Sequence, residues 1–279
     1  MKKILLATTL LVASTGFAAA ELTTTGAARM GMIYNGTDTE FTSRVRITFT
    51  GSGETDGGLT FGASVRADQI GGNGGTSTGT TNGDSTVYIS GAFGKLTMGD
   101  VGGAADALVG NVSGVGLTGL GSLNEMGYIG TSKTAAYYEY STNGLTFGVG
   151  VGQPTGANPS GSVAVKYSTD SFSVALGYED GVVGAVDATQ TSLGVTGSFS
   201  GVSLKAVVKD LSTNADLSYA VSADYTSGAT TVTAFYADNG TEVYGLGAAY
   251  DLGGSAKVVG GVVDNGTNTV ADLGVSFSF

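Results

Sequence analysis

The basic side chains of this chain are few, and their positions limit the chemistry that it can perform. All four arginines, Arg29, Arg44, Arg46 and Arg66, precede residue 70 and lie in segments where polar and apolar residues alternate. If the first three strands of a sheet are neighbours, these guanidinium groups form one cluster on a single face. Like charges repel unless water and counter-ions surround them. The cluster therefore predicts a wet, ion-attracting surface and not a packed core.

The residues most often used in catalysis are missing from the sequence. It contains neither histidine nor cysteine. Histidine is the usual general base, metal ligand and partner of a serine nucleophile, and cysteine provides disulfides and thiol chemistry. A G-x-G-x-x-G pattern at 114–119 opens no helix of a βαβ unit, so it does not indicate a nucleotide site. We expect no enzymatic activity, no cofactor and no metal site.

The amino-terminal segment has the pattern of a cleaved secretory signal peptide. Lys2 and Lys3 precede an apolar run at 4–12, and three alanines at 18–20 precede Glu21. The apolar run is too short to span a membrane. We therefore expect a signal peptide at 1–20 and one domain at 21–279. In that domain ten basic residues face 23 acidic ones, a net charge of −13, which argues against a nucleic-acid partner.

Segments with strict alternation of apolar and polar residues recur through the rest of the chain. In the last one, Leu273, Val275 and Phe277 occupy one face, whereas Asp272 and Ser276 occupy the other. No window of eighteen apolar residues follows Glu21. The pattern predicts sixteen strands: 22–35, 41–51, 58–68, 85–91, 95–100, 134–141, 144–152, 162–168, 171–179, 189–199, 202–210, 217–225, 229–238, 241–250, 255–264 and 269–279.

The connections between these strands distinguish a membrane barrel from a soluble sandwich. The connections after even-numbered strands are mostly tight turns, and those after odd-numbered strands are generally longer. This parity is typical of a membrane-crossing meander. Closing the sheet into a barrel also removes edge strands, whose backbone N–H and C=O groups would find no hydrogen-bond partners in lipid. Aromatic residues near strand ends on the apolar face fit interfacial girdles: Tyr34, Tyr138, Tyr140, Phe172, Tyr178, Phe199, Tyr225, Tyr236, Tyr250 and Phe279. We predict an all-β, transmembrane, antiparallel up-and-down β-barrel of sixteen strands, with a water-filled interior.

One connection is much longer than the others and carries acidic residues. It runs from about residue 101 to 133, with Asp100 at its entrance and Asp106 and Glu125 within it, and residues 104–109 could form one helical turn. Loops of this length are uncommon unless they are functional. We predict that this third loop folds into the lumen and narrows it. The alternative is an extracellular loop.

The sequence resembles the general diffusion porins of the alphaproteobacterial, purple-bacterial type. The likeness covers both ends and the third loop, and rests on these segments: Ser43-Arg44-Val45-Arg46-Ile47, Glu54-Thr55-Asp56-Gly57-Gly58-Leu59-Thr60-Phe61-Gly62-Ala63, Glu125-Met126-Gly127-Tyr128, Val270-Ala271-Asp272-Leu273-Gly274-Val275 and Phe279.

The resemblance implies a homotrimer in the lipid of the outer membrane, through which small hydrophilic solutes and ions diffuse passively. It also implies that wall arginines face acids on the third loop. The pore-lining residues are then Arg29, Arg44, Arg46, Arg66, Asp100, Asp106 and Glu125. The alternative is a structural or adhesive outer-membrane barrel without an open pore, which would have a lumen filled by large apolar residues.

Overall fold

The structure is a computed structural model that describes residues 20–70, 80–130, 133–155 and 159–279. Apart from Ala20, the predicted signal peptide lies outside the described residues. In the described residues, no helix is both long and apolar enough to cross a membrane.

Sixteen β-strands and one short helix make up the regular structure of the described chain. The helix is α1, Ala104–Leu108. The strands are β1 Glu21–Tyr34, β2 Thr39–Glu54, β3 Thr60–Ile70, β4 Thr80–Gly91, β5 Gly94–Gly99, β6 Ala135–Thr142, β7 Leu145–Val151, β8 Gly161–Ser168, β9 Phe172–Val183, β10 Val186–Phe199, β11 Val202–Leu211, β12 Ser218–Ser227, β13 Thr230–Asp238, β14 Glu242–Gly253, β15 Ala256–Asp264 and β16 Thr269–Ser278.

Each strand pairs in antiparallel fashion with its neighbours in sequence, and β1 pairs with β16 to close the barrel. The closure includes the last residue, because the backbone N–H of Phe279 donates to the carbonyl of Gly26 at 2.9 Å. A closed sheet has no edge strand with unpaired backbone groups. The predicted sixteen-stranded antiparallel up-and-down barrel is confirmed.

The strand bounds depart from the prediction mainly where polar residues extend a strand. Strand β4 begins at Thr80 instead of residue 85, because its polar beginning still pairs with β3. The connection after β9 was expected to be one of the longer ones, and this prediction was wrong. The two strands continue to Val183 and from Val186, and only Gly184 and Ala185 lie between them. Both have positive φ values, 58° and 70°, which suits a tight hairpin turn.

The two faces of the sheet differ as the alternation predicts. Large apolar side chains are exposed on one face, including Leu193 at 43% and Leu246 at 54% exposure. Eight of the ten predicted girdle residues are among the exposed ones: Tyr34, Tyr140, Phe172, Tyr178, Phe199, Tyr225, Tyr250 and Phe279. We call this the apolar face and the opposite one the polar face. Exposed apolar side chains over a whole barrel match a lipid surrounding, as in transmembrane barrels.

The polar face is less uniformly polar than the sequence suggested. The alternation predicts polar residues on this face, but it also carries buried apolar side chains. They pack against apolar residues of the long loop, 101–133, in one cluster. The strand residues of this cluster are Ala175, Val207, Ala220, Phe235, Ala237, Val243 and Val263. The loop therefore supplies the apolar partner that makes these positions stable.

Candidate functional site

The four arginines lie on three neighbouring strands. Arg29 of β1 is the register partner of Arg44 of β2, and Arg46 of β2 is the register partner of Asp68 of β3. Arg66 lies two residues before Asp68, so its side chain points to the same face. The strands thus bring together the four residues that the sequence singled out.

Asp68 bridges two of these arginines. The Nε of Arg46 donates to one carboxylate oxygen at 3.0 Å, and the Nε of Arg66 donates to the other at 2.7 Å. Arg44 makes no hydrogen bond or ion pair within the described parts of the chain. The sequence analysis did not include Asp68 in the site. Its position two residues from Arg66 on the same face was the available signal.

The first part of the long loop lies on glycines of the polar face. Helix α1 follows the extended Gly103 and packs against β7, β8 and β9. The backbone N–H of Ala104 donates to the Oγ of Ser162 at 2.7 Å. A Cβ added at Gly177 of β9 would lie 2.6 Å from the Cβ of Ala105, which no real side chain tolerates. Glycine at this position therefore lets the helix approach the strand backbone closely.

The loop then crosses the later strands as far as the barrel closure. Val109 contacts Gly194 of β10, and Val115 contacts Gly247 of β14. The Oγ of Ser113 donates to Asp224 of β12 at 2.7 Å. The loop reaches β16 and β1 at Leu117 and Thr118, which we call the loop tip.

The returning part of the loop is held by a buried lysine. The side chain of Lys209 on β11 is 1% exposed, and its Nζ donates to the carbonyls of Met126 and Gly127 at 2.5 and 3.1 Å. The same Nζ lies 2.9 Å from the centre of the Tyr128 ring. Hydrogen bonds from an ammonium group are stronger than those between neutral groups, and a ring face attracts cations. Lys209 therefore binds this part of the loop by three interactions.

Tyr128 joins the returning part of the loop to the outgoing part. Its hydroxyl donates to the carbonyl of Gly110 at 2.8 Å. Burial raises the pKa of Tyr128, and the negative charges of Asp106 and Glu179 act in the same direction. The hydroxyl therefore stays protonated and remains a donor over the working pH range.

The three predicted acids have different surroundings. Asp106 and Glu125 are exposed and line one cavity between the two parts of the loop. Asp100, at the end of β5, forms an ion pair with Lys133. The structure thus brings Asp106 and Glu125 together, whereas Asp100 has a lysine partner of its own.

Several charged residues on the strands contact the loop and were missed by the sequence analysis, among them the two that bind its tip and its returning part. Asp272 of β16 accepts hydrogen bonds from the loop tip, and Lys209 binds the returning part. Their positions on the polar face were visible in the sequence, but their partners lie 155 and 83 residues away. The alternation of side chains contains no information on contacts at such separations.

The chain was also compared with known proteins. A family model described as "Gram-negative porin" matches residues 7–270. A porin of Rhodobacter capsulatus is 36% identical, with 93% of this chain and 100% of the relative aligned. A porin of Fuscovulum blasticum is 29% identical over 87% of this chain and 92% of its own length.

Solved porin structures show the same fold. One porin refined at 1.8 Å resolution superposes with a TM-score of 0.79 at 34% identity, covering 93% of this chain and all of the other. A variant of the Rhodopseudomonas blastica porin superposes with a TM-score of 0.77 at 25% identity, with the same coverage.

Proposed function

Because this chain belongs to the Gram-negative porin family and forms a channel in the outer membrane, we propose that its lumen is narrowed between the long loop and the arginines of β1, β2 and β3. Small hydrophilic solutes and ions then diffuse passively through the remaining passage. The resemblance to purple-bacterial porins that the sequence indicated is confirmed by the relatives.

The observation that carries this proposal is the course of the long loop. It contacts the polar face of strands from β7 to β16 and then β1. In a closed barrel with its apolar face towards lipid, the polar face surrounds the lumen. These contacts support a loop that lies inside the barrel, and they argue against the alternative of an extracellular loop.

The charges on the two sides of the proposed passage are of opposite sign. Arg29, Arg44, Arg46 and Arg66 contribute positive charge on the wall, and Asp68 offsets part of it. Asp106 and Glu125 are exposed on the loop. Such an arrangement would create a field across the passage that orients polar solutes, since a low-dielectric wall focuses the field where the passage is tightest. Asp100 would contribute less, because Lys133 offsets its charge.

The alternative of a closed structural or adhesive barrel is not supported. Its expected sign is a lumen filled by large apolar side chains. The buried apolar residues of the polar face, such as Phe235 and Val207, pack under the loop in one cluster. They stabilise the position of the loop. The cluster includes no described residue of β1, β2 or β3, the strands that carry the arginines.

Introduced cysteines test the passage directly, because the chain has none of its own. Asp106→Cys and Glu125→Cys would each be labelled with a bulky, water-soluble thiol reagent, with labelling verified by mass. We expect the single-channel conductance in a planar bilayer to fall after labelling. Asp170→Cys, in the exposed turn between β8 and β9, is the matched control and should conduct as before. Equal conductance of all three labelled variants would place Asp106 and Glu125 outside the passage.

A homotrimer is proposed as the assembly, on the basis of the family resemblance. The apolar face requires lipid or detergent in any case, so solubility alone does not test it. The assembly is tested by measuring the mass of the protein in mild detergent. A trimer is expected, and a monomer as the only species would contradict the proposal.

A further inference from the structure

The loop tip is bound by a nearly buried carboxylate. Asp272 of β16 is 6% exposed. It accepts hydrogen bonds from the backbone N–H of Leu117 at 2.8 Å, and from the backbone N–H and hydroxyl of Thr118 at 2.6 and 2.7 Å. Three donors are enough to stabilise a carboxylate away from water, and each such charge-assisted bond is stronger than a neutral one.

The other contacts of the loop tip come from the neighbouring strand. A terminal nitrogen of Arg29 on β1 donates to the carbonyl of Leu117 at 3.3 Å. The Leu117 side chain lies over Gly31 and Gly274, which are register partners on β1 and β16. A Cβ added at either glycine would lie 2.6 Å from the Cδ2 of Leu117. We call Arg29, Gly31, Asp272 and Gly274 the tip seat.

The tip seat combines the first and the last strand of the barrel. Its residues come together only when β1 pairs with β16, which is the step that closes the sheet. The seat therefore does not exist before closure, and the loop tip can dock only in the completed barrel. This differs from the contacts of α1, which are made mainly with β7, β8 and β9.

We propose that Asp272 is the positioning residue that holds the loop tip and thereby sets the width of the passage. The proposal rests on the proposed function, since it requires the loop to lie in the lumen. Without the tip seat, the segment between Val115 and Leu120 would keep mainly apolar contacts, which are not directional. The tip would then sample several positions, and each position would leave a passage of different width.

The test compares Asp272→Ala with Asp264→Ala. Asp264 is a matched control because, among the described residues, its carboxylate binds only the turn after β15 and the start of β16. We expect Asp272→Ala to form a barrel by circular dichroism and heat-modifiable gel mobility. Its open-channel current noise should rise several-fold, with more than one conductance level, whereas Asp264→Ala keeps the parent's single level.

A second variant removes two of the three bonds from the loop side and leaves the strands unchanged. Thr118→Pro lacks both the N–H and the hydroxyl that Asp272 accepts. It should produce the same noise even if Asp272→Ala does not fold. A further readout is amide hydrogen exchange at Leu117, which should become faster in both variants.

The outcomes separate this inference from the proposed function. If the open-channel current noise of Thr118→Pro equals that of the parent, Asp272 does not set the width of the passage and the inference is wrong. Faster exchange at Leu117 with unchanged current also overturns it, since the tip would then be released without affecting the passage. The proposed function itself is decided by the labelled cysteines at positions 106 and 125. If labelling lowers the conductance of those variants while the current noise of Thr118→Pro equals that of the parent, the constriction is retained and only the role of Asp272 is rejected.

Discussion

Arg29 and Arg44 are register partners on β1 and β2, so two guanidinium groups face the same side of one antiparallel pair. Like charges directly opposite each other destabilise a sheet unless solvent and counter-ions screen them. Arg29 is partly engaged, because it donates to the carbonyl of Leu117. Arg44, in contrast, makes no hydrogen bond or ion pair within the described parts of the chain. We therefore expect Arg44, of the four arginines, to act most strongly on anions in the proposed passage.

Ion selectivity should respond in opposite directions to two substitutions in this cluster. Arg44→Ala removes positive charge and should shift selectivity towards cations. Asp68→Asn removes the carboxylate shared by Arg46 and Arg66 and should shift it towards anions. At about 0.1 M salt the screening length is roughly 10 Å, so charge at the passage acts more strongly than charge on distant loops. Reversal potentials under a salt gradient measure both shifts. Identical potentials for the two variants and the parent would show that these side chains do not line the passage.

The assignment of faces can be tested on neighbouring residues of β13. Ala234 is exposed on the apolar face in the middle of the strand, and Thr233 on the polar face donates to Asp224 at 2.6 Å. Ala234→Arg should lower the free energy of unfolding by about 2–4 kcal/mol, as expected for arginine at mid-membrane depth. Thr233→Arg should cost much less, because the guanidinium meets water and Asp224. Denaturant titrations in lipid vesicles compare the two, and equal losses would mean that the faces are assigned wrongly.

The barrel was predictable because its cause is local. Alternation within each segment, such as Leu273, Val275 and Phe277 against Asp272 and Ser276, determines which side faces lipid. The number of strands and their order follow from the turns between them. The predicted ends were wrong where pairing continues through residues without alternation, as at the start of β4. There the hydrogen bonds of the ladder, and not side-chain burial, maintain the strand.

The candidate site was predictable only in part. The four arginines could be grouped because they lie on successive strands, which pair in a meander. Their roles in the passage remain a prediction, as do those of Asp100, Asp106 and Glu125. The contacts of Asp272 and Lys209 could not be found, because they depend on where the long loop crosses the strands. That course is determined by shape, with glycines such as Gly177 and Gly247 leaving space for loop residues.

The buried Lys209 should contribute to stability through the returning part of the loop. Lys209→Met keeps much of the side-chain volume but removes the ammonium group and leaves the carbonyls of Met126 and Gly127 without their donor. Hydrogen bonds that involve charged groups contribute about 1.5–3 kcal/mol, and we expect a loss of that size in the free energy of unfolding. Lys257→Met is the control, because Lys257 is exposed on the same face. Equal stabilities of the two variants in denaturant would contradict this role.

The glycines beneath the loop should determine how much of the lumen remains open. In Gly177→Val the new side chain would collide with Ala105, whose Cβ lies 2.6 Å from the position of the added Cβ. The strand backbone is held by ladders on both sides, to β8 and to β10, so we expect the helix to move and not the strand. Helix α1 would then be displaced towards the arginine wall, and the single-channel conductance should fall. Gly197→Val is the matched control, since its added Cβ meets nothing within 4 Å. A folded Gly177→Val variant with the conductance of this control would show that α1 does not border the passage.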